Sequence, residues 1–103
     1  MIKPYYTEYV RHAMRFYSRY LSKPTFKHCV DEANWCACHK VIETYPRQDK
    51  DILTYVYGAF DTISDNVYLM AKKHHIHQNI IWDMMREFER KVAIERGLWY
   101  EPR

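Results

Sequence analysis

The sequence predicts an all-α fold, a compact bundle of about five helices that ends in a helix-turn-helix. Three observations predict it. Apolar residues recur at three- and four-residue spacing along most of the chain. No segment shows the two-residue alternation of a strand. Proline and glycine account for only six of the 103 residues, and they fall at the ends of the periodic segments.

The first helix is expected over 5–21. Tyr5, Tyr9, Ala13, Phe16 and Tyr20, flanked by Tyr6, Val10, Tyr17 and Leu21, form a broad apolar arc expected to face inward. Glu8, Arg11, Arg15 and Arg19 line the opposite side. Pro24 stops this helix, because a residue before proline is pushed out of the helical region. Thr25 is the expected cap of a second helix running to Tyr45, with the repeat Phe26, Val30, Ala33, Ala37 and Val41. Trp35, Cys38 and Ile42 add a second apolar face, so this helix is expected to be central and buried on both sides.

Pro46 separates it from a short third helix, which starts between Arg47 and Asp49, buries Ile52, Leu53, Val56 and Tyr57, and ends near Gly58. Thr62 with Asp65 fits a capping box, so a fourth helix follows to about His74. His75 to Gln78 forms the turn, Asn79 is the expected cap of the fifth helix, and Gly97 stops that helix after Arg96 in the left-handed conformation.

The chain length is that of one domain, with an N-terminal helical part at 5–45 and a second part at 49–97. No run approaches the roughly 18 apolar residues of a membrane span, and no basic segment leads into an apolar one. A soluble cytoplasmic protein without a membrane partner is expected. Three cysteines leave one unpaired in any intramolecular scheme, which suits a reducing compartment.

Net charge is +3, but its distribution is uneven. Residues 1–28, Lys3 among them, hold six basic side chains against Glu8, while residues 29–103 hold ten basic and twelve acidic ones. Attraction to a polyanion therefore starts in the first helix. Arg11, Arg15 and Arg19 repel one another at four-residue spacing and call for a counter-surface. A phosphate backbone, an acidic partner and the chain's own acidic segment 49–65 all qualify. Base stacking is not expected there, since Tyr5, Tyr9, Phe16 and Tyr20 are placed inward and a stacking platform must face out.

Segment 63–97 carries the helix-turn-helix expectation. Ala71 is the small residue where two helices cross, Ile76 lies in the turn at 75–78, and Ile81, Met84, Phe88 and Val92 anchor the second helix. His75 stands at the turn position where glycine is common. With that face inward, Asp83, Arg86, Glu87, Arg90 and Ile94 point outward. Arg86 and Arg90 could reach a guanine edge or a phosphate, and Asn79 an adenine. Acids among these arginines equally describe a salt-bridged surface.

The runs Asp49-Lys50-Asp51-Ile52-Leu53, Ala71-Lys72-Lys73, Asn79-Ile80-Ile81-Trp82 and Glu89-Arg90-Lys91-Val92-Ala93, with Ser64, resemble the C-terminal, promoter-reading domain of bacterial sigma factors. They also resemble small sigma-like regulators carried by phages and other mobile elements of Gram-positive bacteria. The resemblance implies that Ile52 and Leu53 are scaffold, that Ala71 is the crossing residue, and that Gln78, Asn79, Asp83 and Arg86 lie at the reading end of the second helix.

Cys36, Cys38 and His39 raise the question of zinc. On a helix Cys36 and Cys38 point about 200° apart, and Cys29 lies roughly 10 Å of rise from Cys36, too far for a shared ion. Cys36 with His39 would need two further ligands from His74, His75 and His77. Small buried thiols are the simpler expectation, and solvent-facing histidines the simpler reading of the turn. No nucleophile-elbow, zincin, Walker or dinucleotide signature occurs, so a non-catalytic protein without cofactor or metal is expected.

Two functions follow. One is a small sigma-like DNA-binding or transcription-associated regulator, with candidate contacts Arg11, Arg15, Arg19, Lys72, Lys73, Gln78, Asn79, Arg86 and Arg90. The other is a helical protein–protein adaptor with no direct nucleic-acid contact. The expected partners are double-stranded DNA, RNA polymerase or another protein, and the aromatic faces leave room for a homodimer.

Overall fold

Punctuation in the chain places the helices. In a computed structural model, which describes residues 4–99, the elements are α1 (Thr7–Arg19), α2 (Cys29–Ile42), α3 (Arg47–Gly58), α4 (Ile63–His74) and α5 (Gln78–Glu95), and the described residues contain no strand. The bundle is all-α and compact, with a radius of gyration of 13.4 Å, close to the ~13 Å expected for a chain of this length. Lys3 lies outside the described residues.

α3 begins directly after Pro46, whose extended backbone at the N-cap turns the chain into the helix. α4 begins after Thr62, whose hydroxyl accepts the backbone N–H of Asp65 at 3.1 Å. α5 ends at Glu95, with Arg96 as its cap, and Gly97 is left-handed as expected. With φ at 71°, Gly97 lets Leu98 N–H reach back to the Ala93 carbonyl at 2.8 Å.

The start of α2 differs from expectation. Thr25 caps nothing, and the helix begins four residues later at Cys29 behind an extended His28. Phe26 therefore packs on the core from a loop, against Phe16 and Trp35, with ring centroids 6.4 and 6.2 Å away. Nor is α2 buried on both sides. Trp35, Ala37, Cys38, Val41 and Ile42 are buried, while Val30 is 50% exposed and Cys29, Cys36, His39 and Lys40 face out. Starting at Cys29 leaves Val30 in the first turn.

α1 is shorter than 5–21, and its buried face is rotated from the one expected. Tyr6, Val10, Ala13, Met14 and Tyr17 are buried, whereas Tyr5, Tyr9, Tyr20 and Leu21 are exposed and Phe16 is half-buried. The aromatic arc is wider than the stripe a surface helix can bury, and only its middle fits. Tyrosine tolerates the edge because its hydroxyl stays in polar surroundings. In α5 the stripe is Ile81, Met85, Phe88, Glu89, Val92 and Ala93, so Met85 takes the place expected of Met84 and an acid enters the core. The α5 cap is His77, not Asn79, with the ring Nδ1 accepting the Asn79 N–H at 3.1 Å.

Polar ties cross the bundle. Asn66, buried in α4, donates to the Val56 carbonyl at 3.0 Å and so fastens α4 to α3. Asn34 Oδ1 accepts from Arg96 at 2.6 Å and from Tyr9 at 3.2 Å, joining α2 to α1 and to the end of α5. Gly58 lies against α1 so closely that a Cβ there would sit 2.7 Å from the Ser18 Cβ.

Candidate nucleic-acid interface

A three-residue turn brings the end of α4 to the start of α5. His75 adopts the left-handed conformation, with φ at 55°, and Ile76 N–H bonds back to the Ala71 carbonyl at 3.0 Å. Ala71 is buried, Ile76 half-buried, and Ile81 fully buried behind them. Lys72, Lys73, Gln78 and Asn79 are all exposed, and the turn brings Lys72 next to Gln78 and Asn79. Tyr68, Lys72, Gln78 and Asn79 border an open hollow of about 500 Å³ on this side. A lysine beside the N-terminal end of a helix, where backbone N–H groups carry partial positive charge, makes the corner attractive to an anion.

Further along α5 the outward charges pair among themselves. Arg86 bonds to Asp83 one turn before it. Lys91 bonds to Glu87 at 2.9 Å, and Tyr45 donates to the same carboxylate at 3.1 Å. The Lys91 hydrogen bond holds the Glu87 carboxyl below its usual range. Arg90 is half-buried and close enough to Glu87 and Tyr45 for its charge to act on both.

The three arginines of α1 have different fates. Arg11 turns inward to Glu89 at 2.9 Å, with side chains only 19% and 3% exposed. Tyr57 donates to the same Glu89 oxygen at 2.6 Å, so one carboxylate ties α1, α3 and α5 together. Burial, followed by the Glu89 charge, raises the Tyr57 phenol well above its ordinary range. Arg11 thus finds its counter-charge in α5, not in the acidic segment 49–65. Arg19 reaches that segment without meeting an acid. Its Nε donates to the Gly58 carbonyl at 3.1 Å, and its guanidinium lies 4.7 Å from the centroid of the Phe60 ring. Arg15 is exposed, and it borders a hollow of about 270 Å³ with His12, Phe16, Arg19 and Tyr20.

The thiols are not uniformly buried. Cys29 and Cys36 are exposed, and only Cys38 lies in the core, where burial pushes its thiol up to about 12. Among the described residues no group of three His, Cys, Asp or Glu side chains is arranged to hold a metal ion. His75 and His77 are exposed and His74 half-buried. His39 stacks on Trp35, with centroids 5.0 Å apart and planes at 13°, and its Nδ1 lies 2.9 Å from the Tyr17 hydroxyl. Among the described residues no helix is long and apolar enough to cross a membrane.

Glu89, Phe60 and Tyr68 were not among the expected site residues. A signal existed for two of them. Glu89 lies four residues after Met85 and three before Val92, hence on the buried stripe, and Tyr68 lies one turn before Lys72. Phe60 sits in an irregular loop, where no periodicity gives its direction. No family model, curated protein or solved structure matches the chain.

Proposed function

We propose that the chain is a small, non-catalytic DNA-binding regulator of the sigma-like kind, in which α4, the turn at 75–77 and α5 act as a helix-turn-helix. The observation that carries the reading is the corner where exposed Lys72 meets exposed Gln78 and Asn79 across the turn, with exposed Lys73 next to it in the chain. Lysines there can grip phosphates while amide side chains at the start of α5 meet base edges, the division of labour that groove recognition requires. The likeness of 49–97 to sigma-factor C-terminal domains points the same way. Arg86, paired with Asp83, and half-buried Arg90 lie farther along α5 and contribute less, while Arg15 and Arg19 add general attraction. Arg11 contributes little to it, being engaged with Glu89.

The test is duplex binding measured against salt. The logarithm of affinity is expected to fall linearly with the logarithm of salt, and Lys72→Ala with Lys73→Ala to flatten the slope by about 0.9 each. Asn79→Ala is expected to relax sequence preference without changing the slope. Affinity insensitive to salt and to both lysines would sink the reading.

One observation favours the adaptor reading instead. Exposed Leu21 and Tyr55 border an open groove of about 480 Å³ with Tyr17 and Ile42 at the junction of α1, α2 and α3. Exposed aliphatic and aromatic side chains around a depression are what a protein partner grips. A complex with RNA polymerase that survives Lys72→Ala and Lys73→Ala but fails with Leu21→Asp would favour it.

A further inference from the structure

The inward placement of the α1 aromatics was the reason to expect no base stacking, and the structure reverses it. Tyr20 is exposed, Phe16 is half-buried beside it with centroids 4.9 Å apart, and Phe60 is 92% exposed. Three cationic or titratable side chains stand among these rings. His12, Arg15 and Arg19 border the same hollow as Phe16 and Tyr20, and no acid lines it. Arg19 joins the hollow to Phe60, since its guanidinium rests over that ring.

We infer that this ridge of α1 binds single-stranded nucleic acid, with Phe60 and Tyr20 as stacking platforms and Arg15 and Arg19 as phosphate contacts. The inference does not rest on the α4–α5 corner, whose Lys72, Lys73, Gln78 and Asn79 it does not use; it shares with the duplex reading only Arg15 and Arg19, which there add general attraction.

The chemistry selects an unpaired strand over other polyanions. A ring that projects into solvent can stack on a base only if that base is free of its own neighbours, so Phe60 offers nothing to an intact duplex. Acidic peptide would satisfy the arginines but leave the rings uncovered. The hollow, at about 270 Å³, lies below the roughly 300 Å³ at which pockets for drug-sized ligands begin. It suits one repeating unit of a longer chain. Arg19 is held ready for this role. Its Nε is engaged by the Gly58 carbonyl and its plane by Phe60, which leaves the Nη groups for a phosphate. Arg15 is exposed one turn away, and phosphates of a strand running along α1 would pass both.

Fluorescence anisotropy of a labelled oligothymidine, with the full chain, tests this. Phe60→Ala is expected to weaken binding by about 5- to 150-fold at every salt concentration, the range for losing one stacked base, and Phe60→Tyr to restore it. Arg15→Ala is expected to lower the salt slope by about 0.7. Both residues are exposed, and unchanged thermal midpoints verify that the variants fold. Lys72→Ala and Lys73→Ala are expected to leave oligothymidine affinity unchanged, which separates this site from the duplex reading. Three outcomes overturn the inference: affinity indifferent to Phe60→Ala, a duplex of the same length competing equally through the same residues, or polyglutamate displacing the strand as effectively as more oligothymidine.

Discussion

α1 and α5 both carry cations about one turn apart, yet the two helices handle them in opposite ways. α5 closes its charges locally, Arg86 on Asp83 and Lys91 on Glu87, so most of its outer face is electrostatically self-contained. α1 has no acid at matching positions beyond Glu8. It sends Arg11 across the bundle to Glu89 and leaves Arg15 and Arg19 outside. Equal spacing of arginines therefore does not imply equal availability. Availability is set by whether the same helix supplies acids three or four residues away. Among the described residues the α4–α5 corner and the α1 ridge both expose cations, whereas Arg86 and Lys91 in the middle of α5 are paired.

The largest effect should come from the one ion pair that joins the two helices. Glu89→Ala strands the Arg11 guanidinium and the Tyr57 hydroxyl in a nearly closed site. Breaking a buried pair costs about 3–5 kcal/mol, and the partial exposure of Arg11 places the loss near the lower end. For a chain of this size the thermal midpoint should then fall by more than about 10 °C. Asp83→Ala, which breaks a pair on the outside of the same helix, should cost less than about 0.5 kcal/mol. Equal losses in the two variants would break the comparison. Alkali should act on the same core. The folded-state phenols of Tyr57 and of Tyr17, the latter raised by burial to about 12, titrate above the ordinary 10.0. Their contribution is complete below pH 10 and is lost as pH rises through the folded value. The thermal midpoint should hold up to about pH 10 and fall as pH rises from there through the folded values.

Glu89 also shows where the sequence was legible. The five helices and the starts of α3 and α4 could be read because Pro46 and Thr62 act locally, through one backbone restriction and one side-chain bond. The phase of α1 could not be read. Its apolar residues cover more than one face, and the choice between Tyr9 and Met14 is made by α2 and α3 packing against it. In α5 the buried Ile81, Phe88 and Val92 could be read, and only Met84 gives its place to Met85. Met84 and Met85 are chemically equal, and nothing in residue type marks Glu89 as buried. Partners distant in sequence, Arg11 and Tyr57, make that acid tolerable. Of the candidate site, the cations and amides could be read by residue type. Their availability could not, since it depends on Asp83, Gly58 and Phe60 arriving at particular distances.

A smaller effect is expected where α1 meets α3. Gly58→Ala would place a methyl group 2.7 Å from the Ser18 Cβ, a rigid point of the neighbouring helix rather than the tip of a flexible side chain. Overpacking of this kind costs about 1–3 kcal/mol. It also displaces the Gly58 carbonyl that holds Arg19. Denaturant unfolding should show the loss, and oligothymidine binding should weaken beyond what the unfolded fraction explains. A loss of stability with binding intact would detach Arg19 from its proposed role.

The two left-handed helix ends give a smaller contrast. Gly97→Ala puts a side chain at φ 71° and should cost about 1 kcal/mol, whereas His75→Gly removes one at φ 55° and should gain about 0.5 kcal/mol. Opposite signs in thermal unfolding are the expected result.

The smallest effect on stability carries the sharpest statement about α5. In Asp83→Ala the fold is nearly indifferent, because both partners are exposed and water replaces either one. What changes is the charge presented by the helix. Arg86, released from its neighbour, becomes as available as Arg15, and a duplex lying along α5 gains a phosphate contact. The salt dependence of duplex binding should then steepen by about 0.9, with oligothymidine binding on the α1 ridge unaltered. If the slope does not move, Arg86 does not face the duplex, and the phosphate grip belongs to Lys72 and Lys73 alone. α5 would then enter the groove by its first turn only, with Gln78 and Asn79 as its whole reading surface.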